Sequence, residues 1–130
     1  MIVVDTSAVI AILLREPGSD AISDRLLSDT DGVRFMSPVS VVESIMVLSR
    51  TYSQPKAAID AYLNGAGIVI SPIDAAQMQW ASHAFLFFGK GRHPARLNLG
   101  DCFSYAVAKA LNAPLLFVGG DFGKTDIRAA

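Results

Sequence analysis

Ile2-Val3-Val4-Asp5-Thr6-Ser7-Ala8-Val9-Ile10-Ala11-Ile12-Leu13-Leu14 is apolar on both sides of one acid. The residues before Asp5 read as a short buried strand, and Ala8 to Leu14 is long enough for a buried helix closed by Pro17-Gly18. A strand feeds a helix across a carboxylate. Downstream, Ser19 to Ser28 places Ile22, Leu26 and Leu27 at helical spacing, and Asp29-Thr30-Asp31-Gly32 turns into a second strand, Val33 to Met36. Ser37 caps a third helix that starts at Pro38 and runs to about Tyr52. Pro55 opens a fourth helix through Leu63, ended by Gly65 and Gly67, and Ile68-Val69-Ile70 is a third strand. Asp74 caps a fifth helix reaching about Phe88. Gly89 to Gly100 reads as a surface loop, Asp101 to Leu111 as a sixth helix and Leu115 to Val118 as a fourth strand. Uniformly apolar strands alternating with helices specify an α/β fold, a parallel sheet covered on both faces.

The 130 residues suit one domain, 1–130, and 52% hydrophobic against 18% charged residues excludes disorder. No apolar run reaches the roughly 18 residues that a membrane span needs, and the opening Met1-Ile2-Val3-Val4-Asp5 lacks a positive leader, so a cytoplasmic address is expected. Cys102 is the only cysteine, which excludes an internal disulfide and a thiolate zinc site. A net charge of -1 does not announce a nucleic-acid binder, but Lys90, Arg92, His93 and Arg96 cluster in the Gly89–Gly100 loop. A pocket that acts on a polyanion needs such cations nearby, which makes Arg92, His93 and Arg96 candidate polyanion contacts.

Ligands of an open parallel sheet bind beyond the carboxyl ends of its strands. Asp5 follows the first strand, Asp121 follows the fourth, Asp101 starts a helix, and Glu43 shares its helix surface with apolar Val39, Met46 and Val47. Each acid also has a structural reading: Asp5 and Asp101 as helix caps, Asp121 as a turn residue, Glu43 on an exposed stripe. If they converge, their mutual repulsion calls for a cation. An oxygen-only ligand set favours Mg2+ or Mn2+, an ion that shares its coordination with substrate phosphate and can activate water for in-line hydrolysis.

In combination, Val3-Val4-Asp5-Thr6-Ser7-Ala8, the Glu43 helix, Leu97-Asn98-Leu99-Gly100-Asp101-Cys102-Phe103-Ser104-Tyr105-Ala106 and Leu115-Leu116-Phe117-Val118-Gly119-Gly120-Asp121-Phe122 follow one another as in PIN-domain ribonucleases. The chain resembles the VapC toxins of bacterial toxin–antitoxin pairs over essentially its whole length. This likeness implies a Rossmann-like three-layer α/β/α PIN domain that cuts RNA with Mg2+ or Mn2+. It also implies a cognate VapB-type antitoxin and a homodimer. Asp5, Glu43 and Asp101 carry over as core acids, with Thr6 and Ser7 as supporting hydroxyls. The fourth acid is Asp121 or Asp126, with Asp121 preferred because it is nearer the strand; many relatives carry a second acid where this chain has Gly119-Gly120.

Other constellations are weaker. Gly119 to Thr125 falls one residue short of a phosphate-binding loop's spacing. Cys102, with His83 or His93 as base, fits a buried apolar role better than a nucleophile. Trp80, Phe85, Phe87 and Phe88 are expected in the core, with part of that surface available to a dimer. A phosphatase of the haloacid dehalogenase type also places an acid after its first strand, but needs a second acid where Ser7 stands. A non-catalytic PIN-like binding module is the remaining alternative.

Overall fold

The computed structural model describes residues 1–30 and 32–130; Asp31, in the turn expected at Asp29-Thr30-Asp31-Gly32, lies outside the described residues. The strands are β1 (Ile2–Val4), β2 (Arg34–Met36), β3 (Ile68–Ile70) and β4 (Leu115–Leu116). The helices are α1 (Thr6–Leu13), α2 (Ser19–Ser28), α3 (Pro38–Leu48), α4 (Pro55–Gly65), α5 (Ala75–Phe88) and α6 (Leu99–Leu111), and a 3-10 turn covers Phe122–Lys124.

Strand periodicity sorts β1 between two cores. Ile2 and Val4 join Val9, Leu26, Leu48 and Ile59 on the face covered by α1 to α4. Val3 joins Ala84, Tyr105 and Val107 on the face covered by α5 and α6. All three β1 residues are 0% exposed, which is why the strand is apolar without alternation. The result is the three-layer α/β/α arrangement, with all strands parallel in the order β3-β2-β1-β4.

That order positions the site. The chain lays β1, β2 and β3 side by side and then crosses back to the other flank of β1 for β4. Such a reversal opens a crevice at the carboxyl ends of the two strands that meet there. Asp5 lies in it, its N–H bonded to the Leu116 carbonyl at 3.0 Å.

Three local expectations change. β4 stops at Leu116 rather than Val118, because the Val118 N–H donates to Ser7 Oγ at 3.0 Å and leaves the ladder, and Gly119 then turns the chain at φ +99°. The outer flank of β4 is covered by the chain's last residues, with Leu115 N–H bonded to the Arg128 carbonyl at 2.9 Å. α3 ends at Leu48, short of Tyr52, whose hydroxyl instead reaches the Leu13 carbonyl at 2.9 Å. α6 begins at Leu99 rather than Asp101, since Asn98 is its cap.

The aromatic residues of α5 are a further correction. Trp80 is 37% exposed, Phe85 46% and Phe87 61%, while only Phe88 packs against the core. The buried face of α5 is formed by Gln77, Ala81 and Ala84, and the small side chains of the two alanines let the helix approach α6 closely and leave the large rings outside. No helix among the described residues is long and apolar enough to cross a membrane.

Candidate active site

Asp5 sits at the junction where β1 becomes α1, in extended backbone conformation, and caps the helix: its Oδ2 accepts the Ser7 N–H at 2.9 Å. The same oxygen accepts the Ser7 hydroxyl at 2.6 Å, and Oδ1 accepts the Ser104 hydroxyl at 2.6 Å. The residue is 2% exposed, so these donors replace the water a carboxylate would otherwise hold. The cap reading and the site reading are both satisfied by one geometry. Ser7 is committed on both sides, giving its proton to Asp5 and accepting the Val118 N–H. Thr6 is buried and its hydroxyl donates to the Ser40 carbonyl of α3 at 3.2 Å.

Asp101 occupies the first turn of α6 within a capping box. Its Oδ2 accepts the Asn98 N–H at 3.0 Å, and Asn98 Oδ1 accepts the Asp101 N–H at 2.9 Å. Glu43, half-buried on α3, faces the same turn from the opposite side, against Gly100. Asp5, Glu43 and Asp101 thus line one open cleft of about 330 Å³, together with Thr6, Ser7, Asn98 and Glu16.

The electrostatics show how closely the acids bear on one another. Asp101 is pushed up to about 7, first by burial and then by the negative charges of Asp5, Glu43 and Asp121, against the opposing bond from Asn98. Cys102 is pushed up to about 11 by burial and by Asp101, and it is 3% exposed, so it is an inert thiol rather than a nucleophile.

The remaining candidates lie elsewhere. Asp121 is exposed in the turn after β4 and does not line the cleft, though its charge reaches Asp101. Asp126 is engaged with α6, accepting the Tyr105 hydroxyl at 2.8 Å and the Lys109 ammonium at 2.7 Å. Burial raises the Asp126 pKa, but the hydrogen bonds from Lys109 and Tyr105 and the Lys109 charge outweigh it, so the net shift is downward. Arg92, His93 and Arg96 line a separate hollow with Lys90. There Arg92 Nε donates to the Leu86 carbonyl at 3.1 Å, and its guanidinium lies 5.7 Å from the Phe85 ring centre. A larger hollow of about 600 Å³ between α5 and α6, lined by Met78, Phe85, Leu86, Leu97 and Phe103, is too apolar for phosphodiester chemistry.

Sequence reading missed Asn98, Glu16 and Ser104. Asn98 had a usable signal, since Asn98 followed three residues on by Asp101 is a capping-box spacing. Glu16 was hidden in the helix stop Glu16-Pro17-Gly18. Ser104 had none, because its partner Asp5 is 99 positions away.

Among the described residues, no three His, Cys, Asp or Glu side chains are grouped so as to hold a metal ion by themselves. The donor set nevertheless fits a hard divalent cation. Three carboxylates without thiolate or imidazole face one cleft, and the Asp101 pKa is raised by burial first and by the charges of Asp5, Glu43 and Asp121 second. An open arrangement is what Mg2+ uses, since it keeps several waters and takes one or two carboxylates plus substrate oxygens.

The PIN domain family matches residues 2–128. Ribonuclease VapC of Mycolicibacterium smegmatis is 41% identical over 128 residues, covering 98% of each chain. Ribonuclease VapC30 of Mycobacterium tuberculosis is 40% identical over 126 residues, covering 96% of this chain and 95% of that one. Among solved structures, Mycobacterium tuberculosis VapC20, a Sarcin-Ricin loop cleaving toxin, superposes with a TM-score of 0.78 over 100% of this chain and 98% of that chain. At 19% identity that likeness speaks for the fold.

Proposed function

The chain belongs to the PIN-domain family as an endoribonuclease of the VapC toxin kind, and from that premise we propose that its acidic cleft hydrolyses RNA with Mg2+ or Mn2+ held by Asp5, Asp101 and Glu43, with Asp121 as the fourth acid. The single observation that carries the reading is that carboxylates from β1–α1, α3 and α6 face one cleft at the sheet's reversal point. When bound, the ion supplies positive charge to the scissile phosphate and makes water a better nucleophile.

The chain's own groups do the rest. Asp5 is held in one orientation by Ser7 and Ser104 and offers a fixed, already hydrogen-bonded carboxylate. Glu43 takes the proton of the attacking water, being half-buried on the far wall of the cleft. Water adds to phosphorus, the bond to the 3′ oxygen breaks and that oxygen takes a proton from solvent water, so the products are a 5′-phosphate and a 3′-hydroxyl, and Glu43 returns its proton to solvent. Arg92, His93 and Arg96 hold the polyanion in a hollow separate from the acidic cleft.

The partners follow from the same premise: RNA as substrate, a cognate VapB-type antitoxin and a second copy of the chain, all in the cytoplasm. Exposed Phe85, Leu86 and Phe87 of α5, together with exposed Leu99 of α6 and Met46 of α3, support the second copy. Sequencing RNA ends after brief induction tests the reading. Wild type is expected to create 5′-phosphate ends that Asp101→Ala does not; identical ends from both would defeat it.

A further inference from the structure

Two buried hydroxyls outside the acid set connect the site's three walls. Ser104 of α6 and Ser40 of α3 are both 0% exposed and lie 2.9 Å apart, Oγ to Oγ. The proton positions follow from counting. Ser104 has one hydroxyl hydrogen, and its 2.6 Å contact with Asp5 Oδ1 uses it, because a carboxylate can only accept. Ser40 is therefore the donor to Ser104. The Ser40 carbonyl in turn accepts the Ser44 hydroxyl at 2.8 Å and the Thr6 hydroxyl at 3.2 Å. The bonds run one way, from Ser40 to Ser104 to Asp5.

Each hydroxyl also sits one helical turn from an acid on its own helix: Ser40 three residues before Glu43, Ser104 three residues after Asp101. A bond between the two serines thus fixes the separation of the helices that carry Glu43 and Asp101, while the bond onward fixes Asp5. We infer that Ser104, backed by Ser40, is a positioning residue that sets the spacing of Asp5, Glu43 and Asp101 for a divalent cation. This rests on the metal-dependent reading above.

The test is Mn2+ titration calorimetry on the full chain, paired with RNA cleavage measured across Mn2+ concentrations, for wild type, Ser104→Ala, Ser40→Ala, the double variant and Asp5→Asn. Ser104→Ala is expected to weaken Mn2+ binding about ten- to a hundredfold, with cleavage largely restored at saturating Mn2+. Ser40→Ala shifts binding the same way but less, and the double variant is no worse than Ser104→Ala, because both act through one bond to Asp5. Wild-type affinity in both single variants, with binding lost in Asp5→Asn, overturns this inference and leaves the metal reading standing. A wild-type chain that takes up no Mn2+ overturns both. Should Ser104→Ala fail to fold, Ser40→Ala decides: an unchanged Mn2+ affinity overturns the inference, and a weakened one that excess Mn2+ rescues supports it.

Discussion

Gly100 of α6 backs onto Glu43 of α3 so closely that a Cβ at Gly100 would lie 2.5 Å from Oε2 and 2.7 Å from Oε1. The absent side chain is what lets the Glu43 carboxylate stand beside the first turn of α6. Glu43 is the movable partner, because the atoms in the way are the far end of a flexible side chain.

Gly100→Ala should therefore displace Glu43 without breaking the fold. Alanine suits a helix better than glycine by up to about 1 kcal/mol, so melting should change little. Cleavage should fall about a hundredfold, the usual cost of moving a reacting group by roughly 1 Å. Full activity in a normally folded Gly100→Ala chain would remove Glu43 from the mechanism.

Stability should depend on pH through Asp101. Its proton is held to about 7 in the folded chain against an ordinary value of 3.8, by burial first and by neighbouring charge second. Between those values the folded state binds more protons than the unfolded state, so metal-free stability falls as pH rises through that window and levels off above about 7. Urea unfolding in EDTA at several pH values should show this slope, and Asp101→Asn should flatten it. Adding Mn2+ should oppose the loss most strongly at the alkaline end, where the carboxylate is free to bind.

Asp121 and Asp126 should separate cleanly. Asp126→Ala removes the acceptor of Tyr105 and Lys109 and, because Asp126 is exposed and its pair with Lys109 is screened by solvent, should cost about 1 kcal/mol of stability with cleavage retained. Asp121→Ala breaks no hydrogen bond of the turn it starts, so it should leave melting unchanged and lower cleavage. The reverse pattern would move the fourth carboxylate to Asp126.

A charge on the exposed face of α5 should test self-association. Leu86 is 55% exposed and Phe87 61%, so Leu86→Glu with Phe87→Glu costs little folding energy. The wild-type chain is expected to run as a dimer in sedimentation and the double variant as a monomer. Equal masses for the two would place any contact on another face.

The order of strands and helices was legible because each depends on neighbours a few residues away. Ile2-Val3-Val4 before Asp5, Ser37-Pro38 before α3 and Asp74 before α5 all act locally, and the structure places each element there. The end of β4 was not legible, since Phe117 and Val118 are as apolar as Leu115 and Leu116. What removes them from the sheet is a hydrogen bond to Ser7, 111 positions away. The outward rings of α5 failed for a related reason: apolarity does not say which side of a helix meets its neighbour, and Ala81 and Ala84 occupy that side.

Residue types and spacings were enough to specify a parallel sheet with acids at its strand ends, because periodicity and capping are short-range and each strand end announces itself. That Asp5, Glu43 and Asp101 share a cleft while Asp126 faces Lys109 depends on which helices pack together and how near they come. Such distances are set by side-chain volume, by the glycine at 100 and by the serine pair between α3 and α6, and they exist only once the chain has closed on itself.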